Sequence, residues 1–365
     1  MPDKLSASRP LFERYPALQT KLPFIALGTL PTPVSRAAKL GIELKLPTLW
    51  VKHDDRTGEV YGGNKIRKLE FLLADALQRG CSTVLTFGGM GSNHALATAI
   101  NCQRLGLQCV VVLTPEPPTD AVRRTLRYHQ QLGTRLELAA NYADVRAIAE
   151  HVIAELGAQH VCEIPFGGSS WLGTIGFVNA AFELDAQIRA GDLPRPERIY
   201  VGCGTTSTAA GLALGFALAG TPIEIEAIQV TPDSMQPAKR CMELYKQASM
   251  ELHQLDSSVA IPDPDNYAVH VRRDQLGEGY AIPTAAAREA AELMQLETMP
   301  ASLTYTAKAM AALIADARDG LLQDEHVLFW NTYNSCAYPE LPVDDSWRKL
   351  PLGFHPAFRV NTTSS

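Results

Sequence analysis

The chain has 365 residues, 46% of them hydrophobic, enough to bury a large core and too many for one ordinary domain, so two domains are expected. Its 33 basic and 39 acidic residues form no block of like charge, which argues against a nucleic-acid or anionic-membrane surface and points to small molecules as partners. Seven cysteines with no C-x-x-C pair predict reduced thiols in a cytoplasm, and nine histidines without metal-ligand spacing argue against a dedicated zinc site. The start, Met1-Pro2-Asp3-Lys4, lacks the apolar run of a signal peptide, and the longest apolar stretch, about 209–219, is far too short for a membrane span and predicts a buried helix.

Residues 1–30 carry Pro10, Pro16 and Pro23 with little periodicity and read as an irregular arm, followed by a first strand at 48–52. Gly62-Gly63-Asn64-Lys65 comes next. The glycines permit backbone angles closed to other residues, Asn64 is a candidate N-cap, and Ile66, Leu69, Leu73 and Ala76 predict a helix with one face in a core. Lys65 therefore stands at the positive end of a helix, where a neutral, nucleophilic amine is favoured; a solvent-facing loop lysine is the alternative. A βαβ alternation follows, with strands at 83–87, 109–113 and 136–138 and helices at 93–105, 119–132 and 143–156, which implies parallel strands.

Within it, Gly88-Gly89-Met90-Gly91-Ser92-Asn93-His94 joins a strand to a helix whose N-terminus can hold a carboxylate or phenolate oxygen; read alone, Ser92 is an ordinary cap and His94 a structural histidine. The alternation pauses at 164–170, where a domain crossing is placed, and a long helix spans 174–190. A strand at 198–202 enters Cys203-Gly204-Thr205-Thr206-Ser207-Thr208, where N–H groups and hydroxyls can converge on a phosphate. The loop has no P-loop lysine, and Gly211 comes too late for a dinucleotide turn, so a phosphate monoester fits better than a pyrophosphate; a plain tight turn is the alternative. A strand at 223–228, a helical region to about 252, a loop at 256–265, helices at 284–296 and 304–318 and a strand at 326–330 complete the pattern. Tyr280 and Tyr305-Thr306 can stack on an aromatic cofactor or donate to a reacting group, or be core tyrosines. The tail after Pro339 is rich in Pro, Ser and Thr, and 362–365 is expected to be disordered.

In this order, residues 62–72, Ser92-Asn93-His94, Ile164-Pro165-Phe166-Gly167-Gly168-Ser169-Ser170, 204–208 and Tyr305-Thr306-Ala307-Lys308-Ala309-Met310 resemble the D-cysteine desulfhydrase and 1-aminocyclopropane-1-carboxylate deaminase family, over roughly residues 15–335. The resemblance implies a tryptophan-synthase-β-like α/β fold. Two open, twisted, mostly parallel sheets would carry helices on both faces, with pyridoxal 5'-phosphate in the cleft between them. The domains expected are 1–64 with 176–365 (large, cofactor-binding) and 65–175 (small). It implies that Lys65 carries the cofactor as a Schiff base, Asn93 meets the ring hydroxyl, Gly204, Thr205, Thr206, Ser207 and Thr208 cradle the phosphate, and Thr306 partners the pyridine nitrogen. Ser92, Tyr280 and Tyr305 match catalytic positions, and Ser92, Asn93, His94, Gly168 and Thr332 fall around the substrate.

The cyclopropane deaminases have a glutamate where Thr306 stands, and a hydroxyl leaves the ring nitrogen neutral and the electron sink weaker, so the desulfhydrase branch is favoured. The reaction implied is α-proton abstraction by Lys65 and β-elimination from a small amino acid, giving a 2-oxo acid and ammonia, in a cytoplasmic homodimer. Replacement at Cβ, racemisation, cyclopropane deamination and cofactor binding without turnover are the alternatives. Two departures bear on the substrate. The family's His-Thr-Gly-Gly turn is here Asn331-Thr332-Tyr333-Asn334-Ser335, and Met90-Gly91 replaces the usual glutamine.

Overall fold

The computed structural model describes residues 9–263, 267–338 and 345–359. The chain runs through α1 (Pro10–Arg14), α2 (Leu18–Lys21), β1 (Val34–Arg36), α3 (Ala38–Glu43) and β2 (Leu49–Lys52) to α4 (Lys65–Gln78). It continues with β3 (Thr83–Gly89), α5 (Asn93–Leu105), β4 (Gln108–Thr114), α6 (Asp120–Gln131), β5 (Arg135–Leu138), α7 (Tyr142–Leu156) and β6 (Val161–Ile164). After α8 (Trp171–Ala190) come β7 (Arg198–Cys203), α9 (Ser207–Ala219), β8 (Glu224–Gln229), α10 (Pro237–Leu255), β9 (Val269–Arg272), α11 (Ala285–Met294), α12 (Thr306–Arg318) and β10 (Val327–Trp330). Two compact units result, Met1–Phe71 with Ser169–Ala337, and Leu72–Gly168 with Tyr338–Ser365.

The first unit is built on a six-stranded sheet in the order β1-β2-β10-β7-β8-β9, parallel except where β1 meets β2. β10 is central, with Phe329 opposite Val51 on one side and Tyr200 on the other, and all four of its residues are buried, as a parallel strand covered on both faces requires. The apolar stretch near 209–219 is α9, and its glycines serve close packing. A Cβ on Gly211 would lie 2.5 Å from Phe177 Cβ, and one on Gly215 would lie 2.5 Å from Ala181 Cβ, both on α8. The second unit holds a four-stranded, wholly parallel sheet, β5-β4-β3-β6, whose core includes Leu85, Phe87, Val110, Val112, Ala149 and Val152. Among the described residues no helix is long and apolar enough to cross a membrane.

Where α4 begins, the first unit buries a network of charge. Arg67 donates to Asp54 Oδ1 at 2.7 Å and Oδ2 at 2.9 Å, and to Glu183 Oε1 at 2.9 Å and Oε2 at 3.0 Å. Lys52 Nζ donates to Glu183 Oε1 and Gln187 Oε1, both at 2.6 Å, and to the Thr32 carbonyl at 2.7 Å. Burial alone would raise the Glu183 carboxyl, but Arg67 and then Lys52 outweigh it and hold it well below the ordinary carboxylate range. One turn on, Glu70 pairs with Arg9 and accepts from the Leu27 and Gly28 N–H groups at 3.1 Å each.

These contacts explain where the units divide. Motif boundaries put the crossings at 64/65 and 175/176, whereas the packing puts them after Phe71 and after Gly168, because Arg67 and Glu70 tie the first two turns of α4 to the first unit. The expected large domain also included the tail, whose described residues, 338 and 345–359, fall instead in the second unit. Tyr338 stacks on Tyr128 at 5.1 Å, Arg124 lies 4.3 Å over the Tyr338 ring, and Arg123 Nε donates to the Ala357 carbonyl at 2.9 Å. The expected irregular arm contains α1 and α2, and β1, β6 and β9 were not anticipated; residues 362–365 lie outside the described residues.

Removing one partner of a buried ion pair leaves the others uncompensated. Arg67→Met is expected to cost about 3–5 kcal/mol, read as a lowered urea midpoint. Because Glu183 is held low, the stability it contributes is present above the unfolded carboxylate pKa and is lost as the pH falls through the folded value, which urea midpoints measured into acid will show.

Candidate active site

Lys65 is the first residue of α4, and the turn before it is held on two sides. A Cβ on Gly62 would lie 2.0 Å from the Asp55 carbonyl, and Gly63 has φ +95°, with a Cβ there only 2.9 Å from the Thr332 carbonyl. Gly62 N–H donates to Asn334 Oδ1 at 2.6 Å, Gly63 N–H to the Asp54 carbonyl at 2.8 Å, and Asn64 N–H to the Thr332 carbonyl at 3.2 Å. The Asn64 side chain turns to the loop before α9, where Nδ2 donates to Thr208 Oγ1 at 3.1 Å.

Lys65 is half-buried, and desolvation pushes its amine down to about 8, against a hydrogen bond with Lys68 that favours the ammonium. Lys68, one turn on, is fully buried. Desolvation and then the Lys65 charge hold its pKa well below the ordinary lysine value, while the Cys203 thiol at the end of β7 opposes them. Its ammonium lies 5.8 Å over the Phe177 ring. Two amines in one desolvated place favour an anion as their third member.

The loop from β7 into α9 is lined with hydroxyls. Ser169 Oγ bonds Thr205 Oγ1 at 2.7 Å and Ser207 Oγ at 2.8 Å. Thr206 is held in the left-handed region, φ +74°, costly for a β-branched residue, and its buried Oγ1 has no partner among the described residues. A loop with several hydroxyls, one of them without a partner among the described residues, at a helix N-terminus is suited to a tetrahedral anion.

Tyr305 and Thr306 start α12. A Cβ on Gly204 would lie 3.6 Å from the Tyr305 ring and one on Gly202 3.4 Å from the Tyr305 carbonyl, so this tyrosine lies against the hydroxyl loop. Tyr280 OH bonds Tyr305 OH at 2.5 Å, the rings edge to face at 6.1 Å. Thr306 is buried, and its Oγ1 accepts from Ser302 N–H at 2.9 Å. Asn331 is fully buried, its N–H donates to the Lys52 carbonyl, and its Nδ2 has no partner among the described residues.

The first unit thus brings together Lys65, Gly204, Thr205, Thr206, Ser207, Thr208, Tyr280, Tyr305, Thr306 and the Thr332 carbonyl. Ser92, Asn93, His94 and Gly168 belong to the second unit. There Ser92 caps α5, its Oγ accepting from Ala95 N–H at 3.2 Å, and Asn93 is the first helical residue. His94 Nε2 lies 3.0 Å from Thr86 Oγ1; since that hydroxyl donates its proton to the Ile164 carbonyl, Nε2 carries the hydrogen. Gly168 has φ +66° and donates to the Pro165 carbonyl. Gly91 N–H donates to Glu116 Oε2 at 2.8 Å. Lys68 and Ser169 had no predicted role, and Asn64, expected as an N-cap, turns its amide to Thr208. The signal for Lys68 was its place one helical turn after Lys65; Ser169 and Asn64 show their contacts only once the chain is folded.

A family model described as pyridoxal-phosphate dependent enzyme matches residues 25–332. A Pyrococcus abyssi protein provisionally named 1-aminocyclopropane-1-carboxylate deaminase is 33% identical over 87% of this chain and 93% of its own length. A Salmonella choleraesuis D-cysteine desulfhydrase is 32% identical over 86% of this chain and 94% of its own. The solved structure of an ACC deaminase homologue has a TM-score of 0.75 and 28% identity, covering 90% of this chain and 95% of that one.

The lowered Lys65 pKa has a sign. Below about 8 the folded protein bears a desolvated charge that the unfolded chain solvates freely; above the ordinary lysine value neither state bears it. Lys65→Met is therefore expected to raise the urea midpoint of the cofactor-free protein most below pH 8, the gain fading as the pH climbs toward the ordinary lysine pKa.

Proposed function

We propose that this chain, which belongs to the family of pyridoxal-phosphate dependent enzymes, is a lyase that takes the α-proton from a small amino acid and expels a leaving group from its Cβ, ending in a 2-oxo acid and ammonia. The observation that carries this reading is the half-buried Lys65 amine, held near pKa 8 one turn from a second buried amine and next to Asn64, whose amide reaches the hydroxyl loop.

The residues present fit the cofactor. Gly204, Thr205, Thr206, Ser207 and Thr208 would hold its phosphate, where Thr206 Oγ1 lacks a partner among the described residues, and Lys68 would supply counter-charge. Lys65 would hold it covalently, and Thr306 would meet its ring nitrogen. Because Thr306 Oγ1 already accepts from Ser302, its hydroxyl proton is what remains to offer, which suits an unprotonated nitrogen. For Ser92, Asn93, His94 and Gly168 the assignment rests on their motifs: Asn93 to the ring hydroxyl, the others to the substrate.

When bound, pyridoxal phosphate supplies an electron sink for the pair left as the Cα–H bond breaks. The Lys65 amine would receive that proton; burial holds it down to about 8, which leaves a neutral fraction at neutral pH. The Tyr280–Tyr305 pair delivers a proton to the departing group. A neutral ring nitrogen makes a weaker sink, which suits a good leaving group such as a thiolate better than opening a cyclopropane, in keeping with the relatives named D-cysteine desulfhydrase. A reducing cytoplasm is supported by seven free thiols, and a homodimer by family resemblance.

A panel of D- and L-amino acids that includes cysteine and its analogues tests the reaction. 2-Oxo acid release with little α-deuterium return in unreacted substrate is expected, and exchange without keto acid would make the protein a racemase. Lys65→Ala abolishes turnover. Thr206→Val removes a hydrogen bond to a charged group, for which about 1.5–3 kcal/mol is typical, and is expected to weaken cofactor binding roughly tenfold or more in a spectroscopic titration.

A further inference from the structure

The tyrosine pair is held by more than its own hydrogen bond. Lys308, on α12 three residues after Tyr305, is fully buried, and its Nζ donates to the Leu276 carbonyl at 2.7 Å and the Gly279 carbonyl at 3.2 Å. Those two carbonyls bracket the turn that delivers Tyr280. The turn leaves ordinary backbone space repeatedly, with φ of +64° at Gly277, +148° at Gly279 and +60° at Ala281, the last a strained value for a residue with a side chain. A Cβ on Gly277 would lie 2.5 Å from Thr284 Cγ2, at the cap of α11, so the turn has little room to relax on that side. Burying an ammonium costs more than burying a hydrocarbon of its length, and burial lowers the Lys308 pKa. The place needs a donor that spans from α12 to two carbonyls, and a lysine is long enough to do so.

We propose that Lys308 is a positioning residue for the reaction: by tying the Leu276 and Gly279 carbonyls to the helix that starts with Tyr305 and Thr306, it sets the reach of Tyr280 OH to Tyr305 OH, and so the delivery of a proton to the leaving group. This rests on the reading of the two tyrosines given above. With its ammonium on the Leu276 and Gly279 carbonyls, the lysine acts through Tyr280.

Steady-state kinetics of the holoenzyme with two probes, cysteine and β-chloroalanine, test this for Lys308→Met, Lys308→Arg, Tyr280→Phe and Lys308→Met/Tyr280→Phe. With cysteine, Lys308→Met and Tyr280→Phe are each expected to lower kcat about tenfold or more, with KM and cofactor absorbance near wild type. The double variant falls no further than the worse single, since the lysine acts through the tyrosine. Lys308→Arg, which keeps the donors, recovers part of the loss. The deficit shrinks with β-chloroalanine, whose chloride departs without a proton. Losses that multiply in the double variant, or an equal deficit with both probes, overturn the assignment. So does failure of both Lys308 variants to fold, which would make the lysine part of the scaffold. Wild-type kcat in Tyr280→Phe would instead overturn the reading of the tyrosine pair, and with it the role of Lys308.

Discussion

The guanidinium of Arg67, buried against Asp54 and Glu183, is the interaction on which the rest of the first unit depends. It joins three separate pieces of chain, the turn after β2, the start of α4 and the middle of α8, and Lys52 ties β2 into the same carboxylate. α8 passes so near that a Cβ on Gly176 would lie 2.2 Å from the Arg67 carbonyl. A buried charge is tolerated only where every partner is in place, so the network admits few alternatives and sets the direction in which α4 leaves its glycine turn.

That geometry separates two kinds of cation on a single helical turn. At about 100° per residue, Lys65 and Lys68 fall on one side and Arg67 on the other. Arg67 faces two carboxylates and is fully neutralised, whereas desolvation dominates at both lysines. Compensation on one face keeps the helix in place, and on the reading proposed above, incomplete compensation on the other would leave an amine available for chemistry and an attraction for phosphate. The hydroxyl loop before α9 adds neutral donors and a strained Thr206 whose buried Oγ1 has no partner among the described residues.

Much of this was legible in the residues. Strands such as β4, buried along nearly their whole length, and helices such as α5 and α7 announce themselves by composition and caps, and the glycine turn before Lys65 is visible because only glycine suits it. β1, β6 and β9 were not legible, because Val-Ser-Arg, Val-Cys-Glu-Ile and Val-His-Val-Arg offer no apolar run like that of β10, and each forms at the edge of its sheet. Nor were α1 and α2, whose stability comes from contacts such as Leu11 N–H with Asn179 Oδ1, on α8. Within the site, glycines and the lysine carry a local signature. The carboxylate network behind Arg67, the hydrogen bonds of Ser169 and the span of Lys308 do not, since each links residues far apart in the chain.

The glycine turn before Lys65 is backed by residues that come almost last in the unit. Asn334 receives the Gly62 N–H, the Thr332 carbonyl receives the Asn64 N–H, and β10 lies between β2 and β7. During synthesis, the turn before Lys65 stays unfinished until Thr332 and Asn334, about two hundred and seventy residues further on, have emerged. The turn that carries this amine is therefore completed by residues remote from it in the chain. A chain that stops short of Asn334 lacks these contacts, so on the reading proposed above, holding the cofactor depends on residues far downstream of the lysine that would bind it.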